Sequence, residues 1–369
     1  MDAEAGVTLE AIIRIALPRG FFVPVTPGTM AVSLGGALAS NVHGKNHHRV
    51  GSLEHFVLEM EVATPSGTVT CSRAAYPDLF QATLGGYGLT GFITRAKLRL
   101  KPVETADVDC LRLRAPDLDS LLALMGRHED GYEYSVAWLD ALARGKNLGR
   151  GLLMLGNHAP SGGGDKAAGL VFRTRRKVRI PVALPDFLLN RPGLAAFNHA
   201  YFLTRRDSVS AREGFKSFFY PLDRVHDWNL LYGKAGFLQY QCAIPDPRGE
   251  EGVAACLRFL SDHGLGAFLS VLKRCGNDEV MLPFCKRGYT LALDIPMRGE
   301  RTLRLLDRLD ALVLDYRGRV YLTKDARLRA DAFRAMYPEA PAWMEAVRKY
   351  NPDARSDSRM AERLGLWKL

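Results

Sequence analysis

The sequence predicts an α+β fold built in two parts, and three observations carry that reading. First, the order strand, helix, strand, strand occurs twice. Leu111–Leu113, Leu118–Met125, Tyr132–Leu139 and Gly151–Leu155 give it once. Phe237–Ile244, Gly252–His263, Phe268–Lys273 and Thr290–Ile295 give it again, followed by a helical pattern over Leu303–Tyr316. Two such units make one antiparallel sheet with helices on one face. Second, Arg95 to Lys101 alternates basic residues with Ala96, Leu98 and Leu100, a half-buried strand that Pro102 stops. Third, beyond Arg319 a strand at Tyr321-Leu322 and a helix around Ala332–Met336 lead the chain back to its first part. The expected division is residues 1–104, an inserted unit over 105–318, and a returning segment over 319–369.

The elements follow in order. Thr8 caps a helix whose apolar positions Leu9, Ile12, Ile13 and Ala16 recur at helical spacing, and Pro18 stops it. Phe21 to Val25 reads as a buried strand. Thr26-Pro27-Gly28-Thr29 reads as a turn in which proline presets φ and glycine allows a close backbone approach. Gly35-Gly36 offers a second approach, inside or opening a short helix whose exposed N–H groups suit an anion. Phe56–Ala63 and Val69–Cys71 flank the turn Pro65-Ser66-Gly67 and predict a hairpin. Asp78–Thr83 suits a short helix before Gly85-Gly86-Tyr87-Gly88. The section from about Asn157 to Phe215 is Gly-rich, basic and Pro-rich in turn, and reads as a long irregular stretch of the kind used for lids or left disordered.

Composition narrows the function classes. At 369 residues, 47% hydrophobic and 24% charged, the chain is long enough for a large core and ordinary for a globular protein. No apolar run reaches the roughly 18 residues of a membrane span. The acidic opening Met1-Asp2-Ala3-Glu4 lacks a signal peptide's basic and apolar regions, so the cytoplasm is the expected compartment. The net charge of +10 is sharpest at Arg173-Thr174-Arg175-Arg176-Lys177-Val178-Arg179, after the loop Ser161-Gly162-Gly163-Gly164. Such a run is a solvated face or an attraction to anionic headgroups at a membrane surface. No nucleic-acid recognition motif accompanies it. The six cysteines show neither a CxxC pair nor metal-ligand spacing, which predicts reduced, mostly buried thiols and no metal.

Pro24-Val25-Thr26-Pro27-Gly28-Thr29, then Gly35-Gly36-Ala37-Leu38-Ala39-Ser40-Asn41-Val42-His43-Gly44-Lys45-Asn46-His47-His48, then Leu84-Gly85-Gly86-Tyr87-Gly88-Leu89-Thr90-Gly91-Phe92-Ile93 form a collinear series. By spacing alone it is a weak signal, since no Walker or Rossmann pattern is present. The series resembles the FAD-dependent oxidoreductases of the vanillyl-alcohol-oxidase superfamily, which have a PCMH-type FAD-binding domain. Within it, the likeness is nearest to the decaprenylphosphoryl-ribose 2′-oxidase family. It returns at Phe237 to Gln241, Phe268 to Lys273, Tyr321 to Asp325 and Trp343 to Leu366. The resemblance implies a flavin domain, an inserted substrate domain and a C-terminal segment closing beside the flavin. It also implies that the family's flavin domain begins earlier, with a pyrophosphate-binding subdomain that has no counterpart here. A late start codon, a truncated gene and a second chain supplying the missing half are the three accounts. The histidine that anchors flavin covalently in some members is absent too, so non-covalent FAD is expected.

The resemblance assigns roles residue by residue. Pro27, Gly28, Thr29, Gly35, Gly36, Ser40, Val42, His43, Gly44 and Ile93 match FAD-contacting positions. Tyr321 packs on the ring, and Lys324 lies at its pyrimidine edge, where a cation stabilises negative charge on reduced flavin. His43 is the candidate for orienting the sugar or accepting its proton. Gln239 and Gln241, two apart on a strand, share one face and suit sugar hydroxyls. Lys273 suits a phosphate, and Trp138 is a pocket aromatic or core. Phe219 stands where a tyrosine is usual, and Thr290 and Ala292 where asparagine and cysteine are. The expected activity is oxidation of a sugar secondary alcohol to a ketone, with the 2′-hydroxyl of a polyprenyl-phosphoryl-β-D-ribose as substrate. A short-chain reductase partner and a peripheral membrane contact accompany it. An aldonolactone or sugar-alcohol oxidase of the D-arabinono-1,4-lactone oxidase type is the alternative enzyme. A truncated, non-catalytic protein unable to retain FAD is the alternative of another class.

Overall fold

The computed structural model of the chain describes residues 1–162, 169–173, 178–180, 191–205, 207–267 and 269–369. Its N-terminal part begins with β1 (Asp2–Glu4) and α1 (Leu9–Ala16), whose Thr8 cap accepts the Ala11 N–H at 3.2 Å. The chain then forms β2 (Phe21–Phe22), α2 (Leu34–Ala39), α3 (His47–Val50), β3 (Val57–Thr64), β4 (Gly67–Cys71), α4 (Pro77–Thr83), β5 (Phe92–Leu98) and β6 (Lys101–Pro102). A four-stranded sheet, ordered β1-β5-β3-β4, covers one core. Leu9, Ile12, Ile13, Phe22, Leu34, Leu38, Met60, Phe80 and Leu98 fill that core. The expected strand over Phe21–Val25 shrinks to β2, because Pro24 has no N–H to give a ladder.

The larger sheet has eight strands, antiparallel throughout: β7 (Asp107–Ala115), β8 (Tyr134–Leu139), β9 (Gly151–His158), β11 (Ser208–Gly214), β13 (Phe237–Pro245), β14 (Ser270–Cys275), β15 (Gly288–Pro296) and β16 (Arg319–Val320). Their order is β11-β7-β9-β8-β14-β15-β13-β16. Between them β10 (Val178–Arg179) and β12 (Val225–His226) form a short parallel pair. One face carries α5 (Leu118–His128), and in the second repeat α8 (Gly249–His263) and α9 (Glu300–Asp315), over Tyr240, Cys242, Leu272, Leu291 and Leu293.

Two expectations change here. The middle section is not wholly irregular: it holds α6 (Arg191–Leu203), α7 (Phe215–Phe219) and the edge strand β11. Leu194, Asn198 and Phe202, four apart on α6, are buried, whereas β11 is a polar edge strand whose Arg212 pairs with Asp109. Its polarity hides it from a hydrophobic-period reading. The strand expected at Tyr321-Leu322 lies at Arg319–Val320. Tyr321 gives its N–H to Gln241, and the chain then closes a turn, Lys324 N–H to Tyr321 carbonyl at 3.1 Å. Residues 174–177 of the basic stretch, Gly163-Gly164 and Phe268 lie outside the described residues.

The last segment, α10 (Ala330–Met336), α11 (Ala340–Tyr350) and α12 (Arg359–Leu364), shares the large sheet's core and reaches α4 and its loop. Trp343 Nε1 donates to the Ala82 carbonyl at 3.0 Å and Asn351 Nδ2 to that of Leu89 at 2.8 Å.

Candidate active site

His43 sits in the loop that leaves α2. The helix is capped by Ser33, and Asn41 at φ 40° turns the chain so that Val42 bonds back to Ala37. Gly44 lets the loop lie against Thr26: a Cβ there would meet Asn46 Oδ1 at 2.8 Å and the Thr26 carbonyl at 3.1 Å. Asn46 Nδ2 donates to the Pro24 carbonyl at 2.9 Å, and Thr26 shares a 2.6 Å hydrogen bond with Tyr220. The Thr26–Thr29 turn and the His43 loop therefore stand side by side.

The start of α2 does not provide the open N–H groups expected of it. Leu34 and Gly35 give theirs to the carbonyls of Val7 and Ala5, each at 2.8 Å, and Gly36 gives its own to Ser33 Oγ. Gly35 is there because a Cβ would come within 2.9 Å of the Ala5 Cβ. These glycines serve helix packing. Gly28, by contrast, stands open, with nothing within 4 Å of where a side chain would begin, and Pro27 and Thr29 are half-buried beside it.

The face of the large sheet opposite α5, α8 and α9 turns to this loop. Cross-strand register makes one continuous row: Gln241 opposite Ala292, Ala292 opposite Val271, Val271 opposite Trp138, Trp138 opposite Leu152. Beside it run Lys273 opposite Thr290 and Gln239 opposite Asp294. Gln241 Nε2 stands 3.0 Å from His43 Nε2, and Lys273 Nζ stands 2.8 Å from His43 Nδ1. Tyr321 meets the imidazole edge-on at 5.4 Å, Phe284 lies 5.7 Å from it, and the two aromatics stack at 4.4 Å. Tyr321 is held by its hydroxyl, which donates to the Ser40 carbonyl at 2.7 Å.

Electrostatics follow from burial. Burial, then the charges of Lys273, His47 and Lys324, hold His43 well below its ordinary range, so it is neutral. Burial brings Lys273 down to about 7, with Lys324 adding to the effect. Lys324 is lowered by burial against the opposing charge of Asp294, whose own carboxyl burial pushes up. Both His43 nitrogens are engaged, which departs from the expectation of a free proton acceptor. Lys273 is the side chain beside it that titrates near neutrality.

The remaining predicted positions fall in several places. Trp138 packs with Leu152 and Phe202, with Tyr201 at 4.7 Å, at the far end of the Gln241 row. Thr290 is buried with its hydroxyl unbonded, beside Lys273. Phe219 is not brought to His43. It lies in an aromatic core with Phe22 at 5.5 Å and Tyr134 at 4.8 Å. Ile93 is half-buried on β5 opposite Val62, and Val42 is buried beneath the loop. Asp294 and Phe284 were not foreseen. Asp294 sits in a strand that reads as plain alternation, and Phe284 in a loop. All six cysteines are free and buried, as expected. Sequence spacing also missed that His47, Cys275 and Cys285 bring metal-capable atoms within 4.8 Å of one another. Both His47 nitrogens are already bonded, Nδ1 to the Gly276 N–H and Nε2 to Asp278 Oδ1, each at 3.0 Å.

The family described as "FAD binding domain" matches residues 1–72. Decaprenylphosphoryl-beta-D-ribose oxidase of Mycolicibacterium smegmatis is 35% identical over 99% of this chain and 81% of its own length. The chain belongs to the FAD-dependent oxidoreductases of the vanillyl-alcohol-oxidase superfamily. A Streptomyces coelicolor protein, "Uncharacterized protein in mprA 5'region", is 35% identical over 98% of this chain and 100% of its own length. Cytokinin dehydrogenase 1 of rice matches more locally, 39% identical over 28% of this chain and 19% of its own. The protein is an FAD-dependent oxidoreductase with a PCMH-type FAD-binding domain. Its side chains fit the cofactor's chemistry. Lys273 and Lys324 bring two half-buried amines to the site, and the backbone at Gly28 is open. No helix among the described residues is long and apolar enough to cross a membrane.

Proposed function

We propose that this oxidoreductase converts a sugar secondary alcohol to a ketone, the 2′-hydroxyl of a polyprenyl-phosphoryl-β-D-ribose. The observation that carries the reading is the set Gln239, Gln241 and Lys273 on one sheet face, with Gln241 and Lys273 meeting His43. It is a surface of amide and amine groups suited to several hydroxyls at once. The relative from Mycolicibacterium smegmatis, named for a decaprenylphosphoryl ribose, supports the substrate class.

Bound FAD would supply the hydride acceptor for the alcohol carbon. Tyr321, Lys324, Ser40, His43 and the open backbone at Pro27-Gly28-Thr29 would hold it. The chain's own residues do the rest. Neutral His43, fixed at both nitrogens, orients Lys273 and Gln241. Lys273 takes up the hydroxyl proton at its Nζ near neutral pH, and Lys324 supplies positive charge. Trp138 and Phe202 give an apolar end to the same row, where a prenyl chain would lie. A short-chain reductase would then reduce the ketone from the other face. The basic stretch 173–179 would hold the enzyme to anionic lipid.

The experiment is product analysis of the FAD-loaded chain with farnesylphosphoryl-β-D-ribose and, separately, D-arabinono-1,4-lactone, using a dye as electron acceptor. Loss of two hydrogens from the lipid sugar supports the reading. Turnover of the lactone alone would replace it with an aldonolactone oxidase.

A further inference from the structure

Gln239 and Gln241 are two residues apart on β13 and face the same way, yet their partners differ in kind. Gln239 Nε2 donates to Asp294 Oδ1 at 3.0 Å. Asp294 is 3% exposed, and a carboxylate only accepts, so it can take only the NH₂ end of that amide. The Gln239 carbonyl oxygen is left over. Gln241 meets His43 instead, at 3.0 Å from Nε2. The other ring nitrogen, Nδ1, faces Lys273 Nζ at 2.8 Å; the amine, whose lone pair serves the substrate hydroxyl in the reading above, has only N–H groups to give, one to the Gly44 carbonyl at 3.4 Å and one to Nδ1. Nδ1 must then accept, so the single hydrogen of the neutral ring is on Nε2. An N–H there needs an acceptor, which turns the Gln241 carbonyl oxygen to it and leaves the Gln241 NH₂ over.

We propose that Asp294 and the Lys273–His43 pair fix the two glutamine amides in opposite polarity, so that together they read a vicinal diol. One hydroxyl donates to the Gln239 carbonyl oxygen, and its neighbour accepts from the Gln241 NH₂. A lone hydroxyl satisfies one amide and leaves the other dry and unpaired, which is where discrimination comes from. Asp294 is a positioning residue in this scheme: it acts on the substrate through Gln239. The inference rests on the sugar-alcohol reading above and narrows it to sugars with adjacent hydroxyls at the reacting carbon.

The test is calorimetric binding of farnesylphosphoryl-β-D-ribose and its 3-deoxy analogue to the FAD-loaded chain. The deoxy probe should bind about 10-fold more weakly. Asp294→Asn keeps the shape but can present either amide end to Gln239, so it should bring the two probes within about 2-fold of each other. A purely structural role would weaken both probes and leave their ratio alone. Gln239→Met, which removes the acceptor without touching Asp294, should collapse the ratio in the same way. Equal binding of the two probes by the unmodified chain overturns the diol inference, as does an unchanged ratio in both variants. No binding of either probe overturns the ribose reading together with it.

Discussion

Replacing Lys273 with methionine should make the protein's stability less dependent on pH, and the size of the change can be worked out. Burial brings the ammonium from the ordinary 10.5 down to about 7. In the unfolded chain it keeps the ordinary value, so between pH 7 and 10.5 the unfolded state binds more protons than the folded one. Stability therefore rises with pH across that window, and the cost of the buried charge is fully present below it. Integrating both titrations from pH 7 to about 9.5 gives a rise of about 3 kcal/mol from this one group. Lys45, brought to about 8 by burial, adds in the same sense, while buried thiols such as Cys71, raised to about 12, act in the opposite one. Those groups are common to both proteins and cancel in the difference. Methionine keeps the apolar stem and loses the charge. Urea unfolding midpoints from pH 7 to 9.5 should give a wild-type curve that climbs by about 3 kcal/mol relative to Lys273→Met. Parallel curves would refute the buried-cation account and, with it, Lys273 as the proton acceptor.

Three further outcomes follow from the same contacts. Trp343→Phe leaves the Ala82 carbonyl without its donor and should cost about 1–3 kcal/mol in chemical denaturation. Gly44→Ala places a methyl within 2.8 Å of Asn46 Oδ1, so gel filtration with added FAD should show less flavin retained than by the unaltered chain. Tyr321→Phe frees the Ser40 carbonyl and one end of the aromatic wall beside His43. It should lower flavin retention by about 10-fold in affinity while leaving the unfolding midpoint within about 1 kcal/mol.

Much of the site was legible because its parts obey local rules. Gln239 and Gln241 share a face by the period of a strand, and the two β-α-β-β runs announce the antiparallel sheet that displays them. His43 and Lys324 came from the order of motifs, a property of the whole chain. What stayed hidden depends on which distant group returns. The N–H groups of Leu34 and Gly35 look free in sequence, and only the fold brings the carbonyls of Val7 and Ala5 to take them. Phe219 reads as a pocket residue until Phe22 and Tyr134 close around it. Asp294 is one polar residue among alternating apolar ones. Its meaning comes from Gln239 on the next strand and from the charge of Lys324.

The site is a seam, and the seam has its own fastening. His43 comes from the N-terminal part, Gln241 and Lys273 from the large sheet, and Tyr321 from the returning segment, so none of them is positioned by its own element alone. Asp278, in the loop between β14 and β15, holds the first two together. Its Oδ1 takes Ser52 Oγ at 2.6 Å and His47 Nε2 at 3.0 Å, both from the N-terminal part. Its Oδ2 takes the backbone N–H groups of Phe284 and Cys285, at 3.0 and 2.7 Å. One buried carboxylate thus ties the loop that carries Phe284 to the strip that follows His43. Beside it Glu54 accepts the Glu279 N–H at 3.0 Å, and burial with the nearby Asp278 charge raises that carboxyl to about 7. The two acids persist side by side in the seam because each accepts donors from the opposite part. The geometry around His43 therefore depends on a contact made outside the set of His43, Gln241, Lys273 and Tyr321.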